Sequence, residues 1–320
     1  MKTIGLATCG GDAPGMNAAI RGVVRIANSQ NIHVLGFEHG WEGLLKNEFR
    51  RLDPRSVGGI VHLGGTMLYT KRSQEIKKNE GIRKAAKTLE LNNVDALVVI
   101  GGDGTFRGAY DLSKVTDTLI VGIPASIDND VYGTEETIGF DTAVNTAVDG
   151  VDKIRDTMIS LDRVFIIEVM GRARGFLAVN VGISVGAEMI LVPEVKIDND
   201  TIFQNMRELI KKGKKSGIII AAEGYGDNRL LANEIQKNMG IEVRLSVLGY
   251  TQRGGNPTAR SRLLASLFAD KAVELVSQEK GNRIVGINNN KITSIELEKS
   301  INTEKPLDLD LLKLAKVLSS

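Results

Sequence analysis

The sequence predicts an α/β protein built on doubly wound, mainly parallel sheets, in two lobes interleaved along the chain. Three observations carry that expectation. Short continuous apolar runs, of which 96–100 (Ala-Leu-Val-Val-Ile) is the clearest, read as strands buried on both faces. These runs alternate with amphipathic helical segments, as a parallel sheet with crossovers requires. The 35 glycines cluster where the runs end, and such exits line up on the one edge of an open sheet where ligands bind. At 320 residues the chain exceeds the usual single core. No low-complexity linker divides it, so the lobes are expected to interleave rather than follow in tandem.

Composition excludes several classes. Apolar content of 42% and charged content of 25% are ordinary for a globular protein. A net charge of +2 is too small to drive binding to nucleic acid or a membrane surface, so any anion site must be local. The single cysteine, Cys9, excludes an internal disulfide. With no leader pattern and no apolar run near twenty residues, a reducing cytoplasm is the expected location. His33, His39 and His62 show no metal-ligand spacing.

Taken in order, a strand over 2–7 runs into Thr8-Cys9-Gly10-Gly11-Asp12. A helix over 16–28 follows, with Ile20, Val23, Val24 and Ala27 turned inward. Arg21 and Arg25 share another face of it, which by itself reads as a solvated one. A strand is expected over 32–37, a structural loop over 36–45 around Trp41, and a short helix or turn over 50–55. Gly64-Gly65-Thr66 and Thr70-Lys71-Arg72-Ser73 bring flexible backbone and cations ahead of a charged helix over 74–91. Arg72 there either clamps a polyphosphate or simply lies exposed.

The strand over 96–100 stops at Gly101-Gly102-Asp103-Gly104-Thr105, where a helical segment begins. Bare amides, a helix N-terminus and a carboxylate able to hold a divalent cation make a phosphate seat. A strand over 118–123, closed by Pro124, exits into Ser126-Ile127-Asp128-Asn129-Asp130. One exit looks built for a nucleotide and its metal, the other for the group that receives the phosphoryl.

A long helix over 138–160, with Val144, Val148, Val151, Ile154 and Met158 on one stripe, opens the second lobe. There the strand over 164–169 exits into Met170-Gly171-Arg172-Ala173-Arg174-Gly175, the strand over 218–222 into Glu223-Gly224-Tyr225-Gly226, and the strand over 242–247 into Leu248-Gly249-Tyr250-Thr251-Gln252-Arg253. Arginines at such exits suit a small anion, because a guanidinium grips phosphate as a planar fork. Lys211-Lys212-Gly213-Lys214-Lys215 ends a helix, where lysines complement the dipole. A helix over 258–278, a strand over 284–287 and an amphipathic helix over 307–318 complete the chain. A purely structural reading accounts for glycines at strand exits, but not for the carboxylates and arginines beside them.

With these residues in view, the chain resembles the ATP-dependent 6-phosphofructokinases of bacterial type almost from end to end. The motifs that carry the resemblance are Gly10-Gly11-Asp12-Ala13-Pro14-Gly15-Met16-Asn17, Gly101-Gly102-Asp103-Gly104, Ser126-Ile127-Asp128-Asn129-Asp130, Met170-Gly171-Arg172 and Gln252-Arg253-Gly254-Gly255. The resemblance implies two Rossmann-like three-layer domains: a larger ATP-binding one over 1–138 plus 251–304 and a smaller substrate-binding one over 139–250 plus 305–320. It further implies a homotetramer with sites shared between subunits, Mg²⁺, and transfer of the ATP γ-phosphoryl to O1 of fructose 6-phosphate, the committed step of glycolysis.

Carried over residue by residue, the resemblance assigns Gly11, Arg72, Gly102, Asp103, Gly104 and Thr105 to ATP, with Asp103 at the metal. Asp128 resembles the catalytic base, with Arg72 and Arg172 stabilising the moving phosphoryl. Ser126, Met170, Gly171, Arg172, Glu223, Tyr250 and Arg253 match the sugar-phosphate positions. Arg163 and Arg244 match arginines that reach a neighbouring subunit's substrate. Arg21, Arg25, Arg155, Gly186, Glu188, Lys212 and Lys214 match an effector site for ADP and phosphoenolpyruvate, which overrides the solvated-face reading of the first two. Two positions depart from the pattern: Tyr250 stands where histidine is common, and Pro54 where an effector arginine is usual. Pyrophosphate-using relatives carry aspartate at the position of Gly104 and lysine at that of Ala125, so ATP is the expected donor. The alternatives are a pyrophosphate-dependent enzyme, a NAD or lipid kinase sharing the Gly-Gly-Asp-Gly loop, and a catalytically silent sugar-phosphate sensor on the same fold.

Overall fold

The computed structural model describes residues 2–161, 163–214 and 216–319. It divides into two compact units, Met1–Thr142 with Arg253–Lys305, and Ala143–Gln252 with Pro306–Ser320. In chain order the first unit contains β1 (Thr3–Thr8), α1 (Met16–Ser29), β2 (His33–Phe37), α2 (Trp41–Lys46), β3 (Phe49–Leu52), α3 (Asn79–Leu91), β4 (Ala96–Gly101), α4 (Asp103–Ser113) and β5 (Leu119–Pro124). Helix α5 (Phe140–Leu161) carries the chain into the second unit, with β6 (Val164–Val169), α6 (Phe176–Ser184), β7 (Met189–Leu191), α7 (Asn199–Lys211), β8 (Gly217–Ala222), α8 (Asn228–Met239) and β9 (Val243–Val247). The chain then returns through α9 (Ala259–Ser277), β10 (Arg283–Asn288), β11 (Lys291–Glu296) and α10 (Leu297–Asn302), and α11 (Leu309–Leu318) belongs to the second unit.

The first sheet runs β11-β10-β5-β4-β1-β2-β3. Its five inner strands are parallel, and the edge strands β3 and β11 are antiparallel to their neighbours. Strand β4 is buried along its whole length, which is why its sequence is an unbroken apolar run. The chain leaves β1 toward β2 on one side and comes back through α3 to β4 on the other. Strand order therefore reverses between β1 and β4, and their carboxyl ends open the position at which open α/β sheets bind ligands. The core beneath includes Phe37, Trp41, Leu44, Leu97 and Phe106, and each such side chain contributes about 1.5–3 kcal/mol by leaving water.

The second sheet, β7-β8-β6-β9, is wholly parallel. Its core joins Ile166, Leu191, Phe203, Ile219 and Ile235. The exits at Met170, Glu223 and Leu248 lie at its carboxyl edge, and Arg163, Gly217 and Val243 at its amino edge. No helix among the described residues is long and apolar enough to cross a membrane.

Four local expectations need correction. The stretch around Trp41 is not a loop: α2 forms there, because Trp41, Leu44 and Leu45 all reach the core. The segment over 50–55 opens as strand β3 rather than as a helix or turn, since Phe49 packs edge-to-face on Phe37 at 5.7 Å and Arg50 and Arg51 pair with β2. The helix over 74–91 is broken at Lys78, whose extended backbone separates a 3₁₀ turn, Glu75–Lys77, from α3. On α5 the buried stripe is Ala143, Ala147, Val151 and Met158, with Val144, Val148 and Ile154 only half-buried. The alanines let the helix lie closer than valines would.

Candidate active site

Helix α4 begins directly at the end of β4, and no side chain caps its first turn. The Asp103 and Gly104 amides make no backbone hydrogen bond with the described residues, so they can turn to an anion at the positive end of the helix dipole. A Cβ added at Gly104 would meet nothing within 4 Å, so the approach is clear of side chains. Asp103 stands in that first turn and pairs with Arg107 at 2.8 Å. Thr105 is buried. Its hydroxyl donates to the Cys9 carbonyl at 3.0 Å and so ties the start of α4 to the β1 exit, while its amide donates to Gly102 within the β4 exit. Burial also pushes the Cys9 thiol upward, which leaves it inert.

The β5 exit lies against the β4 exit. A Cβ on Gly102 would be 3.5 Å from that of Ser126, and the Ala125 amide donates to the Gly101 carbonyl at 2.9 Å. Ser126 Oγ accepts the Asp128 amide at 3.1 Å. Asp128 is 5% exposed, and Asn129 beside it is held in a left-handed conformation with φ 53°. Arg72 is exposed and makes no hydrogen bond or ion pair with the described residues, while neighbouring Thr70 ties its loop to the Gly10 carbonyl at 3.0 Å. Arg253 donates to Asp12 beside Gly11. The first unit thus brings together Gly11, Gly102, Asp103, Gly104, Thr105, Ser126 and Asp128, with Arg72 and Arg253 on flanking loops.

In the second unit, Arg172 is exposed with φ 53°, and its amide donates to Glu223 Oε1 at 2.6 Å. Gln252, fully buried, accepts the Met170 amide at 3.3 Å and donates to Gly249. Tyr250 is 79% exposed. Met170, Gly171, Arg172, Glu223 and Tyr250 therefore gather on the carboxyl edge of the second sheet. Arg163 and Arg244 do not join them. Both pair with Glu242 at the amino edge, a strand length away, on the order of 20 Å. Partial desolvation pushes the Glu242 carboxyl up, but hydrogen bonds from Arg163 and Arg244 together hold it below the usual range.

Of the effector-matching residues, Arg155 donates to the Val185 carbonyl beside Gly186. Glu188 accepts the Ile218 amide at 2.6 Å and faces Lys214 at 3.4 Å. Lys212 is exposed on the turn after α7, and Lys215 lies outside the described residues. Arg21 and Arg25 belong to the first unit, where Arg25 donates to the Pro54 carbonyl at 3.4 Å.

Sequence reasoning passed over several positioning groups. Asn17 braces the loop at 63–67 with three hydrogen bonds from a buried site, and its place in the Gly-Gly-Asp motif was the available signal. Glu194, which accepts the Gly175 amide at the start of α6, and Lys305, which reaches Glu135, had none. No group of three or more His, Cys, Asp or Glu side chains among the described residues makes a metal site. A lone Asp103 fits an ion held mostly by phosphate oxygens and water, the usual mode for Mg²⁺.

The family described as Phosphofructokinase matches residues 3–276. Proteins named ATP-dependent 6-phosphofructokinase are similar along the whole of this chain and of their own. That of Clostridioides difficile is 48% identical over 319 residues, and that of Clostridium tetani 47% over 319, each with 100% of both chains covered. Among solved structures, Pichia pastoris phosphofructokinase in the T-state gives a TM-score of 0.89 at 33% identity, covering 94% of this chain and 35% of that one. A pyrophosphate-dependent phosphofructokinase from Marinobacter aquaeolei gives 0.86 at 21% identity, covering 98% and 91%, which is a likeness of fold.

Proposed function

The chain belongs to the phosphofructokinase family, and on that premise we propose that it transfers the γ-phosphoryl of ATP to O1 of fructose 6-phosphate, giving fructose 1,6-bisphosphate and ADP. The observation that carries this reading is a buried carboxylate, Asp128, on a loop that abuts an uncapped, glycine-lined helix start. Gly11, Gly102, Asp103, Gly104 and Thr105 would receive the nucleotide there. Mg²⁺ bound with ATP at Asp103 would neutralise phosphate charge. Met170, Gly171, Arg172, Glu223, Tyr250 and Arg253 would hold the sugar phosphate, with Ser126 beside its reacting end.

Energetics choose the timing of the proton. An aspartate starts near pKa ~3.9 and a sugar hydroxyl near that of water, ~15.7, so complete removal before attack would cost on the order of 16 kcal/mol. A kinase turning over at ~100 per second has a total barrier of about 15 kcal/mol. Stepwise deprotonation therefore loses. Asp128 orients the hydroxyl and accepts the proton late, as the O–P bond forms, while Arg72 and Arg172 stabilise charge on the phosphoryl.

The open space at Gly104 supports ATP over pyrophosphate, because a side chain there would crowd the α-phosphate. The placement of Arg163 and Arg244 at the opposite edge from Arg172 supports their serving a neighbouring subunit of a homotetramer. Arg21, Arg25, Arg155, Gly186, Glu188, Lys212 and Lys214 would form the ADP and phosphoenolpyruvate site, in a cytoplasmic, glycolytic enzyme. Initial velocities against fructose 6-phosphate at fixed MgATP test the reading. Turnover modulated by ADP or phosphoenolpyruvate is expected, and a comparable rate with pyrophosphate in place of ATP would overturn the donor assignment.

A further inference from the structure

Asp128 is the reacting carboxylate in the reading above, and the Glu135 carbonyl is one of the groups that hold its loop, beside Thr137 and Ile138. The Asn129 side chain reaches across the loop: its Nδ2 donates to the Glu135 carbonyl at 3.0 Å, and its Oδ1 accepts the Thr137 amide at 3.0 Å. Asn129 stands in the left-handed conformation next to Asp128, which asparagine adopts at little cost, and the clamp fixes its side chain there. The Glu135 carbonyl takes a second donor. Lys305, distant by 170 residues in sequence and the last residue of the first unit before Pro306, places Nζ 3.0 Å from it.

We propose that Lys305 is a positioning residue for Asp128, its ammonium holding the Glu135 carbonyl that Asn129 also grips and so fixing the carboxylate's aim. This rests on the role given to Asp128 above. The charged groups that face Lys305 are Asp130, Glu135 and Glu136. Glu136 is also paired with Arg260 at 2.8 Å, and Glu135 Oε1 accepts the Asn289 amide at 2.9 Å. An ammonium makes a charge-assisted bond about twice as strong as a neutral donor, and it screens the carboxylates from one another. Losing the charge weakens the first and restores the repulsion.

Burial pushes the Lys305 ammonium down to about 8, with Asp130, Glu135 and Glu136 opposing that fall. Its folded pKa is below its unfolded one, so the cost of keeping it charged is present below about pH 8 and is relieved as pH rises toward ~10.5. Lys305 thus burdens the fold less over the same pH range in which the loop loses its ammonium. Turnover and this residue's contribution to stability should move in opposite directions, which a general loosening of the fold cannot produce.

The test compares wild type with K305M, K305R and D128N in kcat, KM and denaturant midpoint as functions of pH. K305M is expected to lose about tenfold in kcat near neutrality with both KM values within about twofold, matching a weakened charge-assisted bond. K305R is expected to recover most of that loss and to lack the wild-type fall in kcat near pH 8. The proposal is overturned if K305M keeps wild-type kcat, or if K305R shows the same alkaline fall. Should K305M not fold, the K305R profile decides. Normal turnover in D128N would instead remove the parent reading, whereas an inactive D128N beside a normal K305M removes only this one.

Discussion

The Arg253 guanidinium donates from Nη2 to Asp12 Oδ1 across 2.6 Å, and a Cβ on Gly11 would fall 2.6 Å from the same nitrogen. The pair is partly exposed, Arg253 at 16% and Asp12 at 41%, so it holds the guanidinium by about 1 kcal/mol or less. A sugar-phosphate dianion is the stronger partner for the fork. Arg253→Ala should therefore raise KM for fructose 6-phosphate by about tenfold or more while KM for ATP barely moves, the loss of one hydrogen bond to a charged group. Steady-state kinetics with equal rises in both would take Arg253 away from the sugar phosphate.

Asp128→Asn keeps the shape of the side chain and removes its ability to take a proton. Turnover should fall by about 10²–10⁴, the usual contribution of a general base, with substrate dissociation constants within about twofold. Calorimetric titration alongside single-turnover rates separates the two, and near-normal turnover would remove Asp128 from the role.

Gly104→Asp should leave the fold intact, since nothing lies within 4 Å of the new Cβ and a carboxylate in the first turn of α4 favours the helix by about 0.3–1 kcal/mol. The same charge would repel the nucleoside phosphates. The expected outcome is an unchanged or slightly higher melting temperature with a markedly raised KM for ATP. Unchanged ATP kinetics would show that the nucleotide does not pass over this residue.

Arg163 and Arg244 share Glu242 on the edge away from Arg172. If they complete a neighbour's site, mixed oligomers of Arg244→Ala and Asp128→Asn chains should recover activity that neither variant shows alone, because an intact Asp128 then meets an intact Arg244. No recovery on mixing would place Arg244 outside a shared site. The acid side offers a second check. The Glu242 carboxyl is lowered in the fold, so its stabilisation is present above its unfolded pKa, ~4.3, and is lost as pH falls through the lowered value. The stability advantage of wild type over Glu242→Gln should shrink over that acid range in denaturation midpoints.

The parallel strands were legible because burial on both faces demands continuous apolar runs, as in β4 and β8. Their glycine exits were legible because helices start there. The short elements were not. Trp41–Lys46 spans less than two turns, and Phe49–Leu52 shows two exposed arginines to any local pattern. Each exists because a partner from elsewhere in the chain covers it: Phe49 becomes strand by meeting Phe37.

By itself, the order of residues determined the strand and helix alternation, the glycine-rich strand exits and the family motifs, since these depend on periodicity and on neighbours close along the chain. Tertiary structure alone decided that Arg253 rests on Asp12, that Arg163 and Arg244 lie at the edge away from Arg172, and that Lys305 reaches the loop of Asp128. Those contacts join side chains far apart in sequence, and no local preference encodes a partner that only the packed sheets bring within reach.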